Sequence, residues 1–289
     1  MVVLSIMMVI GRTKGDWSAH VTAFRVIPPS LAPVLTELEL VRPPVVTASW
    51  LDQAAQRLGV PITGQHLAAR LRKLGWLLPL RVRGVWEFAP ADRAGPLAGG
   101  DGFIELRAAL VARPDLRVGV GYESAAFLRG LATRQPKSEV IVADEGTSRL
   151  QALSDFRRVD VTLPESAYGE LLRLRVQTPT GILAAISIRP DGFGDWPGLG
   201  EWLRDVAARV ETRQMIEALA GRAPASWARA SYLLHKGGAV DAACSIAEQS
   251  PTGSGPFYLG PRRAGGHYDR STDVVDTVVD RYDTARQGI

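Results

Sequence analysis

The chain of 289 residues holds one cysteine, Cys244, and four histidines. A lone cysteine excludes a disulfide framework and a Cys-rich zinc site. A reducing, cytoplasmic setting is the expectation that follows. His20, His66, His235 and His267 lack metal-ligand spacing, so no metal site is expected. No apolar run reaches the roughly 18 residues that a membrane-spanning helix needs, so no membrane partner is expected. The N-terminal run Val2–Ile10 is too short to span a bilayer, and it lacks the basic leader and cleavage site of a secretory signal. It reads as a buried strand or a disordered start. No nucleophile elbow, phosphate-binding loop or pair of metal-binding acids stands out, so no catalytic residue and no cofactor is assigned.

A further absence is local. Between Arg57 and Arg83 there is no Asp or Glu, while Arg57, Arg70, Arg72, Lys73, Arg81 and Arg83 all fall inside that window. Residues 1–95 carry 11 Lys/Arg against 6 Asp/Glu, whereas residues 96–289 carry 23 against 24. The basic excess therefore sits in the first third of the chain. Such asymmetry fits a nucleic-acid-binding module joined to a domain with another task.

What is present in the first third is a run of helix signals. Ser30 can cap a helix whose Leu31, Val34, Leu35 and Leu38 share one face. Ser49, with Asp52 three residues on, resembles a capping box ahead of Leu51, Ala54, Ala55 and Leu58. Gly59-Val60-Pro61 stops that helix. Thr63 then caps a third helix reaching about Leu74, with Leu67, Leu71 and Leu74 facing a core. Ala69 lies nearly opposite, flanked by Gln65, His66, Arg72 and Lys73, with Arg70 at the edge. A small residue at the centre lets a helix approach a groove floor, and Gln and Arg are side chains that read base edges. Leu80–Phe88 alternates on both sides of Gly84 as a wing, with Arg81 and Arg83 on one face. Trp76 and Trp86 read as core plugs.

Helix, turn, helix and basic hairpin together are the layout of a winged helix-turn-helix that binds double-stranded DNA. Phosphate contacts fall to Arg57, Arg70, Lys73, Arg81 and Arg83, and base readout to Gln65, His66 and Arg72. An ordinary amphipathic helix with a solvated basic face is the plainer alternative. The Pro/Gly-rich stretch Ala89–Gly102 marks a linker, which gives a DNA-binding domain over residues 1–95 and a second domain over 103–289.

The remainder mixes strands and helices, so the fold class is α+β. Expected strands are Leu116–Val120, Glu139–Ala143, Arg157–Leu163, Leu171–Gln177 and Ile182–Ile188, the last two read as a hairpin about Thr178-Pro179-Thr180-Gly181. Helices are expected near 200–219, 226–236 and 239–248. Gly119-Val120-Gly121-Tyr122-Glu123-Ser124, followed by Asp144, approaches a dinucleotide-binding fingerprint, although Ser124 replaces the third glycine. A tight strand-to-helix turn is the plainer reading. Cys244, on an apolar helix, reads as a core residue. Arg262, Arg263 and Arg270, with His267, form a second basic cluster, read as a solvated loop or a secondary contact.

The order of these pieces resembles one family. Trp50–Arg93 is similar to the winged-helix head of AbiEi antitoxins, which belong to type IV toxin–antitoxin systems of the AbiE kind. Tyr122-Glu123-Ser124-Ala125-Ala126-Phe127-Leu128-Arg129-Gly130-Leu131 resembles the family's Ser-Ala-Ala helix. Arg157-Arg158-Val159-Asp160-Val161-Thr162 looks like its central strand, and Gly255–Arg263 like its C-terminal segment. The resemblance implies a cytoplasmic antitoxin that occupies the nucleoid when bound to DNA. It implies repression of the protein's own operon through upstream inverted repeats, and neutralisation of a co-encoded nucleotidyltransferase-like toxin, in many members without a stable complex. A ligand-sensing winged-helix regulator and a dinucleotide-dependent enzyme are the rival readings.

Overall fold

A computed structural model describes residues 27–91, 100–262 and 265–279. The run Val2–Ile10 and Arg263 lie outside them, as does most of the expected linker. The fold is α+β, and the chain divides into two compact units. One extends to Leu116 and takes in Arg149–Leu153. The other comprises Arg117–Ser148 and the chain from Ser154 onward.

The first unit opens with α1 (Ala32–Val41), β1 (Val45–Thr47), α2 (Ala48–Arg57) and α3 (Gly64–Lys73). It continues with β2 (Leu77–Pro79), β3 (Val85–Phe88) and α4 (Ile104–Ala112). The strands form an antiparallel sheet in the order β1-β3-β2, with Val46 opposite Trp86 and Leu78 opposite Glu87. Leu31, Val34, Leu35 and Leu38 are all buried, and they meet Leu51, Leu67, Leu71 and Trp76 in one core. Trp86 is half-buried against that core. The 3.6-residue stripes read in the sequence are thus the packed faces of α1, α2 and α3, except that Leu58, expected on the α2 stripe, lies past the helix end and is exposed.

Details at the element ends differ from the expectation. Leu31, not Ser30, precedes α1 and makes no side-chain cap. Because β1 runs straight into α2, the extended residue Thr47 supplies that cap, accepting from the Trp50 N–H at 3.1 Å. Ser49 lies inside the helix. Thr63 is the residue before α3 but does not cap its backbone. The Gly64 N–H donates instead to the Asp52 carboxylate of α2. The first arm of the wing is Leu77–Pro79, so Arg81 and Arg83 belong to the loop between β2 and β3 and not to a strand. Gly84 turns that loop with φ of +80°.

The second unit is built on a five-stranded mixed sheet in the order β6-β5-β4-β8-β7. Its strands are β4 (Val118–Val120), β5 (Val140–Ala143), β6 (Arg157–Asp160), β7 (Tyr168–Leu171) and β8 (Leu174–Gln177). Helix α5 (Tyr122–Leu128) joins β4 to β5. After the sheet come α6 (Pro179–Ile188), α7 (Trp196–Ala207), α8 (Thr212–Leu219), α9 (Pro224–Lys236) and α10 (Val240–Glu248). A small sheet of β9 (Phe257–Leu259), β10 (His267–Asp269) and β11 (Val274–Asp276) follows.

Four expectations are corrected here. Ile182–Ile188 is not a strand but the body of α6, which starts at Pro179 with Thr178 capping the Gly181 N–H at 3.1 Å. Every residue from Thr180 to Ser187 is buried, so the helix is apolar all round and shows no 3.6-residue period. The hairpin is β7–β8 instead, closed by Leu172 and Arg173 at positive φ. The expected 200–219 helix is two, α7 and α8. Cys244 is exposed on α10.

Candidate nucleic-acid interface

The third helix is held against the second by close backbone approach. A Cβ on Gly64 would lie 2.1 Å from the Ala48 carbonyl oxygen and 2.8 Å from Asp52, so α3 begins where only glycine fits. The Asp52 carboxylate also complements the positive end of the α3 dipole. The outer face of α3 is thereby fixed, and its side chains are exposed: Gln65, His66, Ala69, Arg70, Arg72 and Lys73.

These residues form two parallel stripes at i, i+4, i+7 spacing. Gln65, Ala69 and Arg72 face the wing and line an open groove with Leu80, Val82, Arg83, Gly84 and Trp86. His66, Arg70 and Lys73 form the neighbouring stripe. The His66 ring is oriented by the Thr63 hydroxyl, 2.8 Å from Nδ1. Arg70 donates to the Ser30 hydroxyl at 3.0 Å. Among the described residues Gln65, Arg72, Lys73 and Arg83 have no protein partner.

Two other expected contacts are engaged inside the unit. Arg57 is ion-paired with Glu37 at 2.9 Å, and the Arg81 backbone N–H donates to Glu105 of α4 at 3.1 Å. The Arg81 side chain is exposed. Neither Glu37 nor Ser30 could be assigned as a partner from spacing, because both pairings join distant parts of the chain. In the second unit Arg262 is exposed and lies over the Tyr258 ring at 5.3 Å, and Arg270 is exposed.

The second unit also decides the fingerprint at Gly119–Gly121. β4 and β5 run antiparallel, with Gly119 opposite Val142, whereas a dinucleotide-binding unit needs parallel strands. Gly121 is needed for another reason: a Cβ there would lie 2.2 Å from Val142 and 2.8 Å from the Gln177 side-chain oxygen, which accepts from the Tyr122 N–H. Ser124 donates to Glu139 at 2.5 Å and accepts from the Val140 N–H. The segment is a tight structural turn.

The sheet carries one polar cluster without complete pairing. Tyr168 Oη, Gln177 Nε2, Asp144 Oδ1 and Arg175 Nη1 are sealed from solvent and find no hydrogen-bond partner of good geometry. Arg175 lies over the Tyr168 ring at 3.4 Å. Burial pushes the Tyr168 hydroxyl up to about 12. It also holds the Asp144 carboxyl above its ordinary range, against the pull of Arg175 and Arg117. No group of three or more His, Cys, Asp or Glu residues is placed to hold a metal among the described residues. No described helix is long and apolar enough to cross a membrane.

Comparison with known proteins addresses both units. A crystal structure of the RV2827C protein from Mycobacterium tuberculosis is similar over 91% of this chain and 96% of that one, with a TM-score of 0.75 at 25% identity. No curated protein matches significantly. Residues 117–236 match the model of the AbiEi antitoxin C-terminal domain, a span that contains the Tyr122–Leu131 and Arg157–Thr162 stretches but neither the winged head nor Gly255–Arg263. The match lies in the second unit apart from Arg149–Leu153, and that part of the chain is similar to an AbiEi antitoxin C-terminal domain.

Proposed function

We propose that this protein is an antitoxin and a DNA-binding repressor of its own toxin–antitoxin operon, and that its first unit is a winged helix-turn-helix that reads upstream inverted repeats. The observation that carries the reading is the outer face of α3, where Gln65, His66, Ala69, Arg70, Arg72 and Lys73 are exposed with no acid among them. An α-helix fits the major groove, and its first turn, here Gln65 and His66, reaches deepest. Glutamine pairs bidentately with adenine, while the cations supply salt-dependent attraction to phosphate. Arg262 and Arg270 are a candidate secondary contact to DNA backbone.

In this reading the second unit, which carries the AbiEi domain, counteracts a co-encoded nucleotidyltransferase-like toxin. The protein then works in the cytoplasm, on the nucleoid when DNA-bound. The test is co-expression with the adjacent reading frame in a heterologous host, beside a reporter driven by the upstream region. Growth rescue together with reporter repression supports the proposal. Repression without rescue would remove the antitoxin half, and rescue without repression would remove the DNA half.

One observation favours a second reading, a regulator whose second unit senses a small ligand. The unpaired polar atoms of Tyr168, Gln177, Asp144 and Arg175 could be satisfied by a small molecule with both donors and acceptors, though buried water satisfies such groups equally well. A metabolite that changes DNA affinity would support it by linkage.

A further inference from the structure

We infer that the groove between α3 and the wing is the seat of one sugar-phosphate strand of the duplex, gripped by Arg72 from the helix and Arg83 from the wing. The inference rests on the DNA-binding reading above and assigns Arg72 a task that its sequence context did not suggest. Taken with Gln65 and His66 on the helix face, Arg72 looks like a base reader. Its position gives another role: it sits on the stripe that faces the wing, in the same groove as Arg83 and Gly84.

The argument is geometric. With α3 in the major groove, a wing beside it reaches toward the neighbouring minor groove, and the strand that separates the two grooves must pass between helix and wing. The groove suits such an occupant. Its lining includes small residues, Ala68 and Ala69 on the helix and Gly84 at the turn, beside the apolar Leu80, Val82 and Trp86. A Cβ on Gly84 would meet nothing within 4 Å, so the wing tip leaves the approach open. No acidic side chain lines it. Arg72 and Arg83 are both exposed, and neither has a protein partner among the described residues to give up on binding.

The other cations differ. Arg57 is paired with Glu37, and Arg70 and Lys73 lie on the neighbouring stripe, outside the groove, with Arg70 donating to Ser30. Base reading then falls to the first turn, Gln65 and His66, and the far end of the wing-facing stripe holds the backbone. An arginine binding phosphate needs only its charge and a donor, so lysine can substitute. An arginine reading guanine needs its planar fork, and lysine restores it poorly.

The test is fluorescence anisotropy of the full chain on the duplex upstream of its gene and on a scrambled duplex, across a salt series. Wild type is compared with Arg72→Ala, Arg72→Lys and Arg83→Ala, each checked for an unchanged melting temperature. A strand seat predicts that Arg72→Ala and Arg83→Ala weaken both duplexes by the same factor. Each should also lower the magnitude of the log–log salt slope by about 0.9, the value for one phosphate contact on duplex DNA. Arg72→Lys should restore slope and affinity. The seat is overturned if Arg72→Ala weakens only the upstream duplex at unchanged slope and Arg72→Lys fails to rescue it, because that is the behaviour of a base reader. Wild-type protein that binds neither duplex overturns the DNA reading itself, and the seat with it.

Discussion

Arg57 donates to Glu37 across 2.9 Å and so ties the end of α2 back to α1. The pair is a contact within the first unit, made by a residue whose place in the acid-free window suggests phosphate binding. Its arginine is about half exposed, so the ion pair is screened and worth roughly 0.2–1 kcal/mol. Arg57→Ala is expected to lower the melting temperature slightly and to leave the salt slope of DNA binding unchanged. A slope reduced by a full phosphate contact would return Arg57 to the DNA surface.

Gln65→Ala, alone or with His66→Ala, is expected to cost roughly 1–3 kcal/mol on the upstream duplex, about the loss of one base contact. Binding to a scrambled duplex should barely change, since neither side chain supplies the charge that holds phosphate. Parallel titrations of both duplexes check this. Equal losses on the two would show that the first turn of α3 does not read bases.

Gly64→Ala probes the junction that aims α3. The added methyl would collide with the Ala48 carbonyl and the Asp52 carboxyl, which belong to the adjoining helix and cannot both move away. Overpacking of this kind costs typically about 1–3 kcal/mol. The expected result is a lower melting temperature for the first unit and weaker DNA binding even where the unit stays folded. A variant that melts and binds like wild type would show that the junction is looser than its contacts indicate.

Leu183→Ala tests whether α6 is the central helix of the second unit. Leu183 is fully buried, and α6 packs against α5, α7, α8 and α9. Removing its side chain is expected to destabilise by about 2–5 kcal/mol, measured by chemical denaturation. Thr178→Ala should cost about 1 kcal/mol through loss of the cap on Gly181.

Asp144 gives a pH dependence. Burial raises its carboxyl in the folded protein, so the folded state binds its proton more tightly than the unfolded chain does. The stability this contributes is full below the ordinary carboxylate pKa, about 3.9, and is lost as pH rises through the raised value. Asp144→Asn removes that loss. Melting temperature measured against pH should fall less steeply above the ordinary carboxylate range than in wild type, and at pH 7 the variant should be at least as stable. A variant that is less stable at pH 7 would mean that the carboxylate is needed by Arg175 and Arg117.

How much of this could be read in advance follows from the physics of each element. The helices of the first unit carry one buried stripe and one wet face, so Leu31, Val34, Leu35 and Leu38 announce their period. The α6 helix does not, because it is buried on every side and its short apolar Ile182–Ile188 run passes for a buried strand. Thr178-Pro179 was a legible start signal, a capping threonine before a proline at the first helical position, and it outweighs the apparent hairpin. Cys244 and the Ser30 and Ser49 caps failed for a smaller reason: burial and caps depend on where the chain enters an element. On the candidate site, the exposed face of α3 was legible from its sequence. The groove shared by Arg72 and Arg83 was not, since it exists only once the wing folds beside the helix.

The most direct measurement is anisotropy of the wild-type chain on the duplex upstream of its own gene and on a scrambled control, from low to physiological salt. The account predicts tight binding to the upstream duplex, by at least the roughly 1,000-fold that separates specific from non-specific sites, and a steep salt dependence on both. Equal and weak binding to the two duplexes would contradict it, and the basic face of α3 would then be only an electrostatic surface.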